Sequence, residues 1–133
     1  MIINKRYKNL VCTFTMLLLS ICYFMIRVHY AEIEHLISPR IVVGKYESGK
    51  LSIEWKPVEY ATSYGIFKKN NCGRYELIEK THYMKNSYKN KLYLKNCEIV
   101  VKAYYKSEFI GKDVESCFSN PIVINDKGQC RVI

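Results

Sequence analysis

LSIEWKPVEYATSYGIFKK, residues 51–69, alternates, stops alternating, and then resumes. Leu51, Ile53 and Trp55 fall on one side of an extended chain and Ser52, Glu54 and Lys56 on the other. That is the period-two pattern of a strand with one face on a core. Pro57 has no backbone N–H to give to a ladder, so the strand ends there. The chain turns through PVEYATS and alternates again at Tyr64, Ile66 and Lys68. The stretch predicts two strands joined by a corner, with the only tryptophan of the chain on the buried side of the first.

Outward from this stretch the same period recurs. PRIVVGK supplies an opening strand that ends at Gly44. YELIEK, 75–80, follows the turn formers of NNCGR, which make 69–74 a hairpin loop. A weaker strand falls around 87–94. CEIVVKAYY puts Cys97, Ile99, Val101 and Ala103 on one face and Glu98, Val100, Lys102 and Tyr104 on the other. Gly111 marks a turn, and FSNPIVIN closes the set with β-branched residues at 122–124. Seven short strands with turns between them, and no helical period after residue 38, predict an all-β sandwich or small barrel. No repeat of 20 to 50 residues is present, which excludes a solenoid or propeller.

The front of the chain differs. Residues 10–26, LVCTFTMLLLSICYFMI, hold no charge, proline or glycine, and Lys5, Arg6 and Lys8 stand before them. Seventeen helical residues rise about 26 Å, so flanking Arg27 to Ala31 must help to cross a hydrocarbon core near 30 Å. A basic start and an apolar run also describe a cleaved secretory signal. The run is longer than such segments use, and cleavage after Ala31 places bulky His29 at the minus-three position, so an uncleaved anchor is favoured. Leu19-Ser20-Ile21-Cys22 departs from a lipoprotein box at Ile21. Positive charges in front predict an inside amino terminus. The segments are then a basic terminus at 1–9, a transmembrane signal-anchor or signal peptide at 10–31, a linker at 32–38, a folded domain at 39–125 and a tail at 126–133.

Lys and Arg outnumber Asp and Glu by 21 to 12, but from Ala31 onward 17 basic and 12 acidic residues are interleaved. This predicts a mildly cationic surface and no nucleic-acid partner. The partners indicated are membrane lipid through 10–31 and an unidentified protein or glycan.

L-x-I-x-W-x-P-V-x-x-A-x-x-Y at 51–64 resembles strands B and C of a fibronectin type III domain, with a corner like that of bacterial members. CEIVVKAYY occupies the place of that family's strand F, and S-x-P-I-V-I at 119–124 resembles its strand G. The resemblance covers about 39–125 and implies a seven-stranded immunoglobulin-like sandwich behind the N-terminal helix. It implies a core of Trp55, Tyr64, Ile66, Ile99, Val101 and Ala103. The chain departs from the family at the tyrosine that usually opens strand F, where Cys97 stands, leaving strand E and its corner without the usual anchor.

Cys72, Cys97, Cys117 and Cys130 lie beyond the apolar segment, which holds Cys12 and Cys22. In the implied topology the end of strand C neighbours the start of strand F, which makes Cys72–Cys97 the first choice for a disulfide, with four free thiols as the alternative. Cys117 and Cys130 can meet only if the tail folds back. No C-x-x-C knuckle is present, and none of the three histidines is near an exported cysteine, so neither a metal nor a cofactor is indicated. No nucleophile elbow or phosphate loop accompanies the histidines or carboxylates, and no catalysis is expected. Tyr104, Tyr105 and Phe109, around the turn after CEIVVKAYY, are the candidate binding surface, because tyrosine combines rigid contact area with a polar tip. The function expected is a non-catalytic, membrane-anchored fibronectin type III module outside the cytoplasm. A structural spacer of a membrane complex and a secreted binding protein are the alternatives.

Overall fold

In the computed structural model, the described residues are 4–32, 35–82, 85–106 and 113–133, with backbone alone for 28–32. They fall into two units, Met1–Glu34 and His35–Ile133. The first is one helix, α1, Lys5–Glu32, which has neither proline nor glycine to interrupt it. Lys5–Arg27 has a mean hydropathy of 2.0 and none of it is buried, so it is long and apolar enough to cross a membrane. Thr13 and Thr15 return their hydroxyls to carbonyls a turn back, at 2.8 to 3.0 Å, which keeps polar groups satisfied inside the apolar run. The helix continues through Glu32, beyond the expected end of the span at 31.

The second unit is all β. Its strands are β1 Ile41–Glu47, β2 Lys50–Trp55, β3 Ser63–Lys69, β4 Tyr75–Lys80, β5 Ser87–Lys91, β6 Cys97–Lys106, β7 Asp113–Glu115, β8 Ile122–Ile124 and β9 Cys130–Val132. One sheet has the order β1-β2-β5 and the other β4-β3-β6-β8-β9, with β7 also on β6. Every pairing is antiparallel. In the lettering of immunoglobulin-like sandwiches this is A-B-E facing C′-C-F-G. The fold is a fibronectin type III-like sandwich.

The inner faces meet on Leu51, Ile53, Trp55 and Tyr88 from one sheet and on Tyr64, Ile66, Ile99, Val101, Ala103, Ile122 and Ile124 from the other. Trp55 is 1% exposed, and its ring meets Tyr64 edge-on at 5.2 Å between centroids. The corner after Pro57 is tied by the same tyrosine, whose hydroxyl accepts the Val58 N–H at 2.8 Å. Tyr64 thus packs on the strand before the corner and holds the corner itself.

Three features depart from the expected architecture. β1 runs on through Gly44 to Glu47. A Cβ at Gly44 would stand 2.7 Å from Ile122 Cδ1 and 2.9 Å from Val132 Cγ2, so a glycine lets β1 close against the other sheet. The last strand is split into β7 and β8, and the Ser116 and Ser119 hydroxyls accept the Ala103 and Val101 N–H groups at 2.9 and 2.8 Å across the gap. The irregular segment between them puts Phe118 against Phe67 on the outer side of the sheet. Finally, 126–133 is not a tail. Asn125 Oδ1 accepts the N–H groups of Lys127 and Gln129, Gly128 takes φ +74°, and the chain returns as β9 alongside β8. Asn120 bonds both backbone groups of Ile41 and the Ile133 carbonyl, stitching the first strand to the last.

The corner before β6 also has an anchor that local pattern did not reveal. Tyr46, on β1, donates its hydroxyl to the Leu92 carbonyl at 2.8 Å and accepts the Leu94 N–H at 3.0 Å. The family's tyrosine opens strand F; here Cys97 occupies that position and a tyrosine from β1 reaches the same loop.

Candidate binding groove

Two threonines bring three strand ends together. Thr62 precedes β3; its N–H and hydroxyl both donate to the Tyr104 carbonyl, at 2.7 and 3.2 Å, and its hydroxyl accepts the Lys106 N–H at 3.1 Å. Thr81 follows β4 and bonds both backbone groups of Tyr64. The ends of β3, β4 and β6 are therefore held by hydrogen bonds rather than left to fray. Above them lies an open groove of about 720 Å³, with Tyr104, Tyr105, Lys80, His82, Lys106 and Asp113 among its walls.

Tyr104 is the centre of this arrangement. The Lys80 ammonium lies 4.3 Å from its ring centroid, on the face where the ring quadrupole attracts a cation. Gly65 leaves room for the ring: a Cβ there would stand 2.9 Å from Tyr104 Cε2 and 2.8 Å from Phe67 Cε2. Burial, and secondarily the charge of Glu115, pushes the Tyr104 phenol above its ordinary 10.0. Glu115 in turn pairs with Lys102 at 3.3 Å. His82, Lys106 and Asp113 make no ion pair among the described residues. The groove thus offers phenol rings with polar tips, flanked by charges of both signs.

The structure brings Tyr104 and Tyr105 into one groove; Phe109 lies outside the described residues. The threonines and the charged rim at Lys80, His82 and Lys106 escape a sequence reading because they sit at strand ends far apart in the chain. Trp55, Tyr64, Ile66, Ile99, Val101 and Ala103 are all buried in the shared core. Among the described residues no group of three His, Cys, Asp or Glu side chains is arranged to hold a metal.

The expected Cys72–Cys97 bridge is not formed, and both are free thiols. Cys72 is exposed in the turn between β3 and β4, whereas Cys97 faces the core opposite Ile124. One side chain points to solvent and the other into the sandwich, and burial pushes the Cys97 thiol above its ordinary 9.0. The chain does fold back at its end, but Cys130 lands beside Ile124, and it and exposed Cys117 are free as well.

No protein-family model matches the chain, and no curated protein matches it. Among solved structures, the twitchin kinase region from C. elegans (Fn31-NL-kin-CRD-Ig26) is similar over 73% of this chain at 14% identity, with a TM-score of 0.48. This chain spans only 18% of that one. FN3tt mut is similar over 62% of this chain and 88% of its own, at 16% identity and a TM-score of 0.43. Pectate lyase Pel3 from Pectobacterium carotovorum follows at 7% identity and a TM-score of 0.40, over 64% of this chain and 25% of its own. The fold assignment stands on this chain's own strand order and pairing.

Proposed function

We propose that the chain is a non-catalytic, membrane-anchored module whose sandwich works outside the cytoplasm, binding a protein or surface glycan at the Tyr104–Tyr105 groove. The observation that carries this reading is the pair of threonine locks, Thr62 and Thr81, which hold a tyrosine-walled groove in one shape before any ligand arrives. Preorganisation lowers the ordering cost of binding. The anchor is α1, uninterrupted and apolar, and the cations before it favour an amino terminus on the inside. We assign no reaction to the groove: its groups suit stacking and hydrogen bonding.

The test uses the full chain in lipid nanodiscs, screened against a glycan array and a panel of synthetic peptides. Replacing Tyr104 and Tyr105 together by Ala should weaken any binding found by about tenfold or more, with thermal unfolding still cooperative. Undiminished binding by the folded double variant defeats the groove. Protease shaving of intact cells separately tests the anchored topology, which requires that residues after 35 be cut from outside.

A further inference from the structure

The outer side of the three-stranded sheet carries an arrangement that neither the core nor the groove explains. Residues directly opposite one another in an antiparallel pair point the same way. β1, β2 and β5 therefore set out three outward rows: Val43, Glu54 and Ser87; Lys45, Ser52 and Lys89; Glu47, Lys50 and Lys91. The four lysines and two glutamates are exposed, and none forms an ion pair among the described residues. Lys50 stands directly opposite Lys91. Like charges so placed destabilise a sheet. Lysines on edge strands deter strand addition, which accounts for Lys45 on β1 and for Lys89 and Lys91 on β5. It does not account for Lys50, because β2 is the central strand.

We propose that this face docks on an anionic phospholipid surface. Charge selects an anion, since the four ammonium groups outnumber the two carboxylates beside them. The absence of any aromatic ring from the three rows removes the stacking platform that single-stranded nucleic acid uses. A sheet face with four point charges spread over neighbouring strands suits a broad layer of phosphates better than one small anion. Lipid is the polyanion nearest to hand, because the same chain carries α1; to that extent the proposal rests on the anchored reading. Each lysine brought to an anionic leaflet strengthens binding by about fivefold, and the effect is confined to a Debye length of about 8 Å.

The experiment is lysine acetylation footprinting of the full chain in vesicles of phosphatidylcholine alone or with phosphatidylglycerol, read by mass spectrometry at low and high salt. Lys45, Lys50, Lys89 and Lys91 should be acetylated about threefold or more slowly on the anionic vesicles, and the difference should vanish at high salt. Lys69, Lys102 and Lys127, which lie off this face, should not change. Equal rates on both vesicles, or slowing shared by all lysines, overturns the proposal. So does equal protection by soluble polyphosphate added to neutral vesicles, which would make the partner a free polymer. A chain that does not float with neutral vesicles defeats the anchored reading alone. The face then still requires flotation with anionic vesicles, lost in the K45Q/K50Q/K89Q/K91Q variant, and flotation with neither overturns both.

Discussion

The two sheets share one core and treat their outer sides in opposite ways. In β1-β2-β5 the alternation is simple: Leu51, Ile53 and Trp55 go in, and Lys50, Ser52 and Glu54 stay out among charges. The larger sheet puts Val100 on its outer side, directly opposite Phe67, yet Val100 is only 2% exposed and lies outside the main core cluster. Phe67 meets Phe118 edge-on at 5.3 Å, Phe118 stacks on Tyr75 at 4.3 Å, and the Lys102 ammonium lies 4.7 Å from the Phe118 ring centroid. A second, smaller apolar cluster thus covers the back of one sheet only. Period-two alternation describes a sheet with one working face; the larger sheet has a second because Phe67 and Tyr75 are outward-facing aromatics and Phe118 joins them from the segment between β7 and β8.

The contact between the two sheets is the most sensitive point of the fold. Trp55→Ala removes the largest side chain of the shared core and should cost about 3–5 kcal/mol, enough to unfold a domain of this size. Without urea, far-ultraviolet dichroism should show the strands melted, and the ring resonances of Tyr75 and Phe118 should lose their folded dispersion with them. Persistence of the aromatic signal after the strands have melted would mean that the outer cluster is independent of the core.

The next effect concerns the two tyrosine-tied corners. Tyr46→Phe keeps the ring but strands the Leu92 carbonyl and the Leu94 N–H, a loss of about 1–3 kcal/mol. Tyr64→Phe strands only the Val58 N–H and should cost less, about 1 kcal/mol. Chemical denaturation of both variants decides the order. A Tyr46→Phe protein as stable as the parent would mean that the corner before β6 holds without its hydroxyl.

These corners also mark how far the sequence could be read. Trp55 and Tyr64 were legible because period-two alternation and Pro57 act on neighbouring residues. Tyr46 was not, since PRIVVGK alone reads as a strand ending at Gly44 and the hydroxyl acts on backbone across the fold. The split of the last strand depends on two serine hydroxyls replacing ladder carbonyls, which no periodicity encodes. β9 had a usable signal in Asn125, Asp126 and Gly128, all turn formers before a β-branched residue. In the groove, Tyr104 and Tyr105 stood out by type, while Thr62 and Thr81 gained their role only when three strand ends met.

Phe118→Ala should sharpen the contrast between the outer faces. Its ring is half-buried, so the loss should be about 1–2 kcal/mol, below that of a fully buried aromatic. Hydrogen exchange should speed up at the outer side of β4 and β6, with Trp55 emission unchanged. An altered Trp55 emission would show that the outer cluster supports the core through the sheet.

The smallest effect lies between cluster and groove. Glu115→Gln breaks the ion pair with Lys102, whose side chain is 17% exposed against 59% for Glu115, and should cost less than about 1 kcal/mol at neutral pH. Its sharper readout is the Tyr104 phenol, raised first by burial and second by Glu115. A folded-state pKa above the unfolded value leaves the associated stability complete below the ordinary 10.0 and loses it as pH rises through the folded value. Removing the smaller cause moves the Tyr104 titration down while burial keeps it above 10.0, so alkaline loss of stability begins at the same pH and becomes shallower. Carbon-13 spectra of ring-labelled tyrosine follow that one residue through the titration. A Tyr104 signal that titrates unchanged in the Glu115→Gln protein would assign the whole displacement to burial, and one that titrates at higher pH would reverse the sign of the Glu115 effect; either outcome breaks the link between the groove and the cluster behind it.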